Sequence, residues 1–167
     1  GRIAGTDVRV RGGPGDIHAV LATLQKDIPV RVVGRSGDWL QVDIPGGIPA
    51  YVATRRAGRS YVQELDPGQG LVVVNDLQLR GTAGLDYPPL GEVNAGDRLV
   101  MIERQGDWAR IVAPGSIKGY VFATLVEPAP DSVAAEARFA NLHARRYEET
   151  LLSGELSRQL VARETAS

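Results

Sequence analysis

Apolar and polar residues alternate along most of the first 127 positions, and then the rhythm changes. "DVRVR" (7–11) and "LQLR" (77–80) put every second residue on one face, as a half-buried strand does. "DWLQVDI" (38–44) places Leu40, Val42 and Ile44 together, and "DWARIVA" (107–113) does the same with Ala109, Ile111 and Ala113. Each tryptophan in these stretches then points away from the apolar set. "IPVRVVG" (28–34) and "RLVMIE" (98–103) are β-branched or apolar enough for strands. "PGG" (45–47) and "PGS" (114–116) are tight-turn sequences, followed by short strands at "AYV" (50–52) and "GYV" (119–121).

After "EPAPD" (127–131) the period becomes helical. "SVAAEARFANLHARRYEETLL" (132–152) contains no Pro or Gly, and Asp131 or Ser132 can cap its first turn. Val133, Ala137, Ala140, Ala144, Tyr147 and Leu151 form one apolar stripe, with Phe139 and Leu142 beside it. Ser153–Gly154 is a candidate break before "ELSRQLVARE". The helix either packs on the β region or serves a partner or a second copy of the chain.

The β region is written twice. Gly37-Asp38-Trp39 returns at Gly106-Asp107-Trp108, and the same offset carries Arg11 onto Arg80, Gly12 onto Gly81, Pro45-Gly46 onto Pro114-Gly115, Ile48 onto Ile117 and Tyr51-Val52 onto Tyr120-Val121. A long ungapped match of glycines, aromatics and alternating apolar residues specifies one backbone used twice. Five or six short strands with glycine-rich connections suit a small closed or partly open barrel. The expected organisation is a first unit at 1–66, a second at 67–128 and a helical tail at 129–167. "SYVQEL" (60–65) is a candidate closing strand for the first unit, "DPGQG" (66–70) a boundary turn, and "LVVVND" (71–76) the opening of the second. The short connection predicts that the two units hold a fixed orientation, each adding buried area to a small core.

Composition narrows the chemistry. Lys+Arg 19 against Asp+Glu 20 leaves a formal charge of -1 without a basic stripe, so no nucleic-acid partner is expected. No apolar run reaches the roughly 20 residues of a membrane helix. With no Cys, disulfides, thiolate metal sites and a Cys nucleophile are excluded together. Any signal peptide or lipid anchor would lie upstream of Gly1. Serines do not fall in G-x-S-x-G, and His18 and His143 show no ligand spacing. "RGGPGD" (11–16) lacks the lysine and following helix of a phosphate loop. Asp38 and Asp107 follow glycines at strand entries, where an aspartate usually serves a turn. Neither catalysis nor a metal or other cofactor is expected.

The ordered set "VRGGPG" (10–15), "VLATLQKDIPVRVV" (20–33), "SGDWLQV" (36–42) and "AYV" (50–52) resembles the bacterial SH3 (SH3b) family. The set returns as "LRGTAG" (79–84), "PLGEVNAGDRLVMI" (89–102), "QGDWARI" (105–111) and "GYV" (119–121). Tyr51 and Tyr120 stand where that family usually has a second Trp, and Ala50 stands where it usually has Gly. The resemblance implies a mainly β fold: two SH3-like small β-barrels in tandem, followed by a C-terminal α-helix. It also implies an exported, periplasmic or envelope-associated protein that binds peptidoglycan, and two linked units can add avidity for a polymer.

In this family the matching Trp lies beside a groove between the first long loop and the turn after its strand. The candidate ligand-binding residues are accordingly Trp39, Tyr51, Tyr87, Trp108 and Tyr120. An indole there can stack on a sugar or peptide and donate its N–H. Both tryptophans can equally close the barrel ends or bury between units, and Tyr87 can simply anchor its loop. Tyr87-Pro88-Pro89 stiffens the loop of the second unit, which favours that unit, with Tyr87, Trp108 and Tyr120 as its aromatics. The alternative function is an adaptor that recruits an envelope protein through its barrels or its helix, and a third reading is a tandem that only positions the helix.

Overall fold

The repeat builds two five-stranded sheets, but neither of these is built from one copy. A computed structural model describes the backbone of residues 1–65 and 68–166, and side chains as far as Leu151. Asp66 and Pro67 of the expected boundary turn lie outside the described residues. The first copy contributes β1 (Arg2–Ile3), β2 (Val8–Arg11), β3 (Val20–Leu24), β4 (Arg31–Ser36), β5 (Trp39–Asp43) and β6 (Pro49–Ala53). A small hairpin follows, β7 (Arg55–Arg56) and β8 (Arg59–Ser60), and then β9 (Val62–Leu65). The second copy contributes β10 (Gln69–Val72), β11 (Leu77–Leu79), β12 (Gly91–Val93), β13 (Arg98–Gln105), β14 (Trp108–Val112), β15 (Gly119–Phe122) and β16 (Val126–Glu127). The chain ends in α1 (Ser132–Ala166).

Each copy keeps its strands only as far as its Pro-Gly turn. One sheet runs β3-β2-β15-β5-β4 and the other β6-β14-β13-β10-β9. Thus β15 of the second copy pairs with β5 and β2 of the first, with Val121 opposite Leu40. Reciprocally, β6 of the first copy pairs with β14 of the second, with Val52 opposite Ala109. The segments beyond follow: β16 pairs with β1, and β9 pairs with β10. The stretch 60–65, expected to close the first unit, therefore serves the second. Among the described residues no ladder joins the end strands of either sheet, so the pairing itself is that of open sheets.

The exchange is anchored where the repeated "GDW" lies. Gly37 and Gly106 adopt φ of 60° and 59°, the left-handed conformation that a two-residue hairpin turn requires and glycine takes freely. These turns join β4 to β5 and β13 to β14, with Ser36 opposite Trp39 and Gln105 opposite Trp108. The backbone carbonyls of Asp38 and Asp107 then accept the N–H groups of Ala123 and Thr54, both at 2.7 Å, where each exchanged strand ends. Where the chains cross, Ala113 N–H donates to the Ile48 carbonyl at 2.8 Å, and Ala113 and Ile117 touch both cores.

Val52 and Val121 are fully buried, each in the core formed mainly by the other copy. Burying such a side chain contributes about 1.5–3 kcal/mol. The two cores therefore depend on each other through shared strands rather than through a contact between finished units. The alternation read from the sequence is respected: Val42, Ile44, Ala109 and Ile111 are buried, and both tryptophans lie on the other face.

The helix starts as its sequence predicts. Asp131 Oδ1 accepts the N–H groups of Val133 at 3.0 Å and Ala134 at 3.1 Å. It then departs from expectation twice. It continues through Ser153–Gly154 without a break, and it docks by a different face. Of the expected stripe, Val133 is 79% exposed, Ala137, Ala140, Ala144 and Leu151 face outward as well, and only Tyr147 turns inward. Phe139, 3% exposed, is the anchor, with His143 and Tyr147 stacked behind it one turn at a time. Three rings offer far more contact area than a row of alanine methyls, so the aromatic face takes the protein surface.

Gly119 tests the close approach on which the exchange depends. A side chain there would collide with Val10 and lie 3.3 Å from Ile48 Cδ1, whereas Gly115 faces open space. Gly119→Val is expected to cost about 1–3 kcal/mol in urea unfolding, as overpacked cores do. Gly115→Ala should stay within about 0.5 kcal/mol of the parent, as surface changes usually do.

Candidate functional site

Trp39 and Trp108 occupy equivalent positions in the repeat, and the exchange gives them different neighbours. Phe122 lies opposite Trp39, its ring 5.5 Å away in a T-shaped arrangement. The equivalent residue opposite Trp108 is Ala53. Both tryptophans are half-buried, but a methyl group leaves space beside the indole that a phenyl ring would fill. Trp108 accordingly lines a groove of about 810 Å³ shared with Tyr61, Val74, Leu77, Leu85 and Asp107.

One wall of this groove is the β7–β8 hairpin, with Arg55, Arg56 and Arg59; Arg80 also lines it. Seven residues separate Thr54 from Val62, where two separate Ala123 from Val126 at the matching place in the second copy. The extra residues form the hairpin. Its base is pinned by the Thr54 carbonyl, which accepts from Tyr61 at 2.8 Å and Val62 at 3.2 Å. Thr54 itself is buried, and its hydroxyl donates to the Asp107 carbonyl at 3.0 Å, tying the hairpin to the Trp108 turn.

The exchange also redistributes the expected aromatics. Tyr120 lies in the sheet of Trp39, where its hydroxyl accepts from Gln41 Nε2 at 2.8 Å. It is therefore not brought to Trp108, although both belong to the second copy. Tyr51 takes that place, opposite Arg110 in the strand beside Trp108, and lines a separate hollow of about 300 Å³ with Gly81, Thr82 and Arg110. Tyr87 stands outside the groove of Trp108, with its side chain 40% exposed. Its carbonyl accepts from Arg80 Nη1 at 3.1 Å, and Arg11 holds the equivalent His18 carbonyl at the same distance. The repeated "VR" arginine is thus a loop clasp in both copies. Gly84 and Leu85, from the same loop as Tyr87, reach the groove. Sequence reading missed the arginine hairpin; the unmatched length after Thr54 was the signal that marked it.

A family model for the bacterial SH3 domain matches residues 6–58 and again 75–127. The chain belongs to the bacterial SH3 domain family. The two matches follow the copies along the sequence, whereas the sheets cross between them. This tandem bacterial SH3 chain is also 25% identical over 146 residues to a Bacillus subtilis (strain 168) protein named "Putative N-acetylmuramoyl-L-alanine amidase YrvJ". The match covers 80% of this chain and 26% of that protein, so the chain spans about a quarter of the relative's length. No solved structure matches it. Among the described residues no helix is long and apolar enough to cross a membrane, and no group of three or more His, Asp or Glu is arranged to hold a metal ion.

A second cleft, of about 410 Å³, lies where the helix of this SH3 tandem meets the strand crossing. His143 Nδ1 accepts the Gly46 N–H at 3.0 Å, and Gly46, at φ 89°, leaves room for the helix because a Cβ would stand 2.9 Å from Arg146 Cβ. Arg31 lies 4.4 Å over the Phe139 ring and is also hydrogen-bonded to Glu136. Lys118 and Asp43 pair at 2.8 Å beside them, and Arg98, held by Gln69, also lines the cleft. These groups find their partners within the protein, so the cleft reads as the seat of the helix.

Hydrogen bonding to Arg31 holds the Glu136 carboxyl below its ordinary range, and the same bond raises the Arg31 guanidinium. A depressed carboxylate stabilises the docked helix above its unfolded range and loses that contribution as pH falls through the folded value. The pair is solvent-exposed, so the effect is modest. Amide exchange of α1 is expected to speed up on acidification relative to the sheets. Glu136→Gln should flatten that pH dependence.

Proposed function

We propose that this chain is a non-catalytic cell-wall binding module that holds peptidoglycan in the groove beside Trp108. The observation that carries the reading is the asymmetry between the two tryptophans: Phe122 occupies the space at Trp39, while Ala53 leaves Trp108 open to a large groove. A half-buried indole among apolar and polar side chains suits a sugar or an extended peptide. The family and the cell-wall amidase named among its relatives support an envelope setting and a wall ligand. Of the five aromatics that the sequence singles out, Trp108 is the one assigned to the ligand. Tyr61 joins it, Tyr51 flanks it, and Trp39, Tyr87 and Tyr120 serve the scaffold.

The protein-adaptor reading keeps one observation in its favour. The outward stripe of α1, from Val133 to Leu151, leaves apolar side chains in solvent. A protein partner on that stripe is compatible with a wall ligand in the groove.

Co-sedimentation with peptidoglycan sacculi tests the wall reading. The parent protein and Trp39→Ala are expected to bind saturably with similar affinity. Trp108→Ala should weaken binding roughly tenfold or more, the scale of one lost stacking anchor. Equal binding by all three variants, or none by the parent, would overturn the assignment.

A further inference from the structure

The hairpin beside Trp108 is an addition to the repeat, and its composition is uneven. Its turn and two strands read Arg55-Arg56-Ala57-Gly58-Arg59-Ser60, all exposed, three of six being arginine. Its tight turn places Ala57 at φ 51° and Gly58 at φ 79°. A non-glycine residue in the left-handed region is uncommon, so the hairpin is a shaped element rather than slack in a linker. Among the described residues, Arg55, Arg56 and Arg59 join no ion pair, as Arg9, Arg35 and Arg98 also do not; what sets the three apart is that they stand together along one groove. The protein is nearly neutral overall, yet these free guanidinium groups stand along one wall of one groove.

We propose that this hairpin reads the carboxylates of a peptide ligand whose other part rests on Trp108. This inference depends on the wall-binding reading and names the portion of the wall polymer that the groove selects, the acidic peptide stem. Guanidinium forks match carboxylates in two-pronged geometry, and a ligand anion supplies the partner these arginines lack. Asp76 and Asp107 also line the groove. A continuous phosphodiester polymer would set its repeated negative charges against those aspartates. A short peptide instead has localised carboxylates for the arginine wall and an amine that the aspartates accept. Val74, Leu77 and Leu85 between them suit the aliphatic part of such a peptide.

The test is calorimetric titration of the whole protein with a soluble muramyl peptide, its carboxyl-amidated form and a glycerol-phosphate polymer, at low and physiological salt. The expected result is at least tenfold tighter binding of the free-carboxylate peptide, a preference that salt diminishes. The combined Arg55→Gln, Arg56→Gln and Arg59→Gln variant, checked for an unchanged melting temperature, should bind both peptides as weakly as the parent binds the amidated one. Equal affinity of the parent for both peptides, with both lost in Trp108→Ala, would overturn the carboxylate reading and leave the wall reading standing. Tighter binding of the phosphate polymer, lost in the arginine variant, would overturn the choice of a peptide. Binding of neither peptide nor sacculi would overturn both readings together.

Discussion

Everything in this protein hangs on the crossing of two strands. After each Pro-Gly turn the chain leaves the sheet it began and completes the other, so that Val52 and Val121 are buried among residues of the opposite copy. The same hydrogen bonds close both exchanges, Thr54 to Asp107 and Ala123 to Asp38. A strand of the complementary copy satisfies a sheet edge as well as its own would, because the backbone groups and the apolar alternation are the same. The result is a single interdependent pair of cores in a chain that by sequence is two small units. Small units gain most from such sharing, since neither buries much apolar surface alone.

Symmetry in the exchange makes departures from symmetry informative. The crossing delivers Phe122 to one tryptophan and Ala53 to the other. It also delivers the segment after β6, with its extra residues, to the rim of the open tryptophan. One tryptophan is therefore packed against a phenyl ring and the other lines a groove, although both follow the same "GDW" turn. The helix adds a clasp at the crossing itself, where Gly46 approaches Arg146 and donates to His143. Around its seat Arg31 pairs with Glu136 and Lys118 with Asp43.

Much of this was legible in the residues. The period-2 pattern located the strands, the offset between Trp39 and Trp108 located the copies, and Asp131 marked the start of the helix. The exchange was not legible, for a physical reason. Residues 49–53 meet nearly the same pattern at 39–43 as at 108–112, so local sequence makes the two pairings almost degenerate, and the geometry of the crossing turns decides between them. That is why the expected grouping of Tyr120 with Trp108 does not hold: Tyr120 lies in the sheet of Trp39. The docking face of α1 was misread because a regular row of alanines fits a stripe, while the area that matters resides in Phe139, His143 and Tyr147. The arginine hairpin has no counterpart in the other copy, so the repeat predicts no element there.

The most direct test of the exchange is a set of cross-strand contacts measured by nuclear Overhauser spectroscopy on the isotopically labelled protein. The account predicts that Tyr51 backbone protons lie against those of Arg110, and Tyr120 against Gln41. Contacts of Tyr51 with Gln41, and of Tyr120 with Arg110, would show two self-contained units and contradict it.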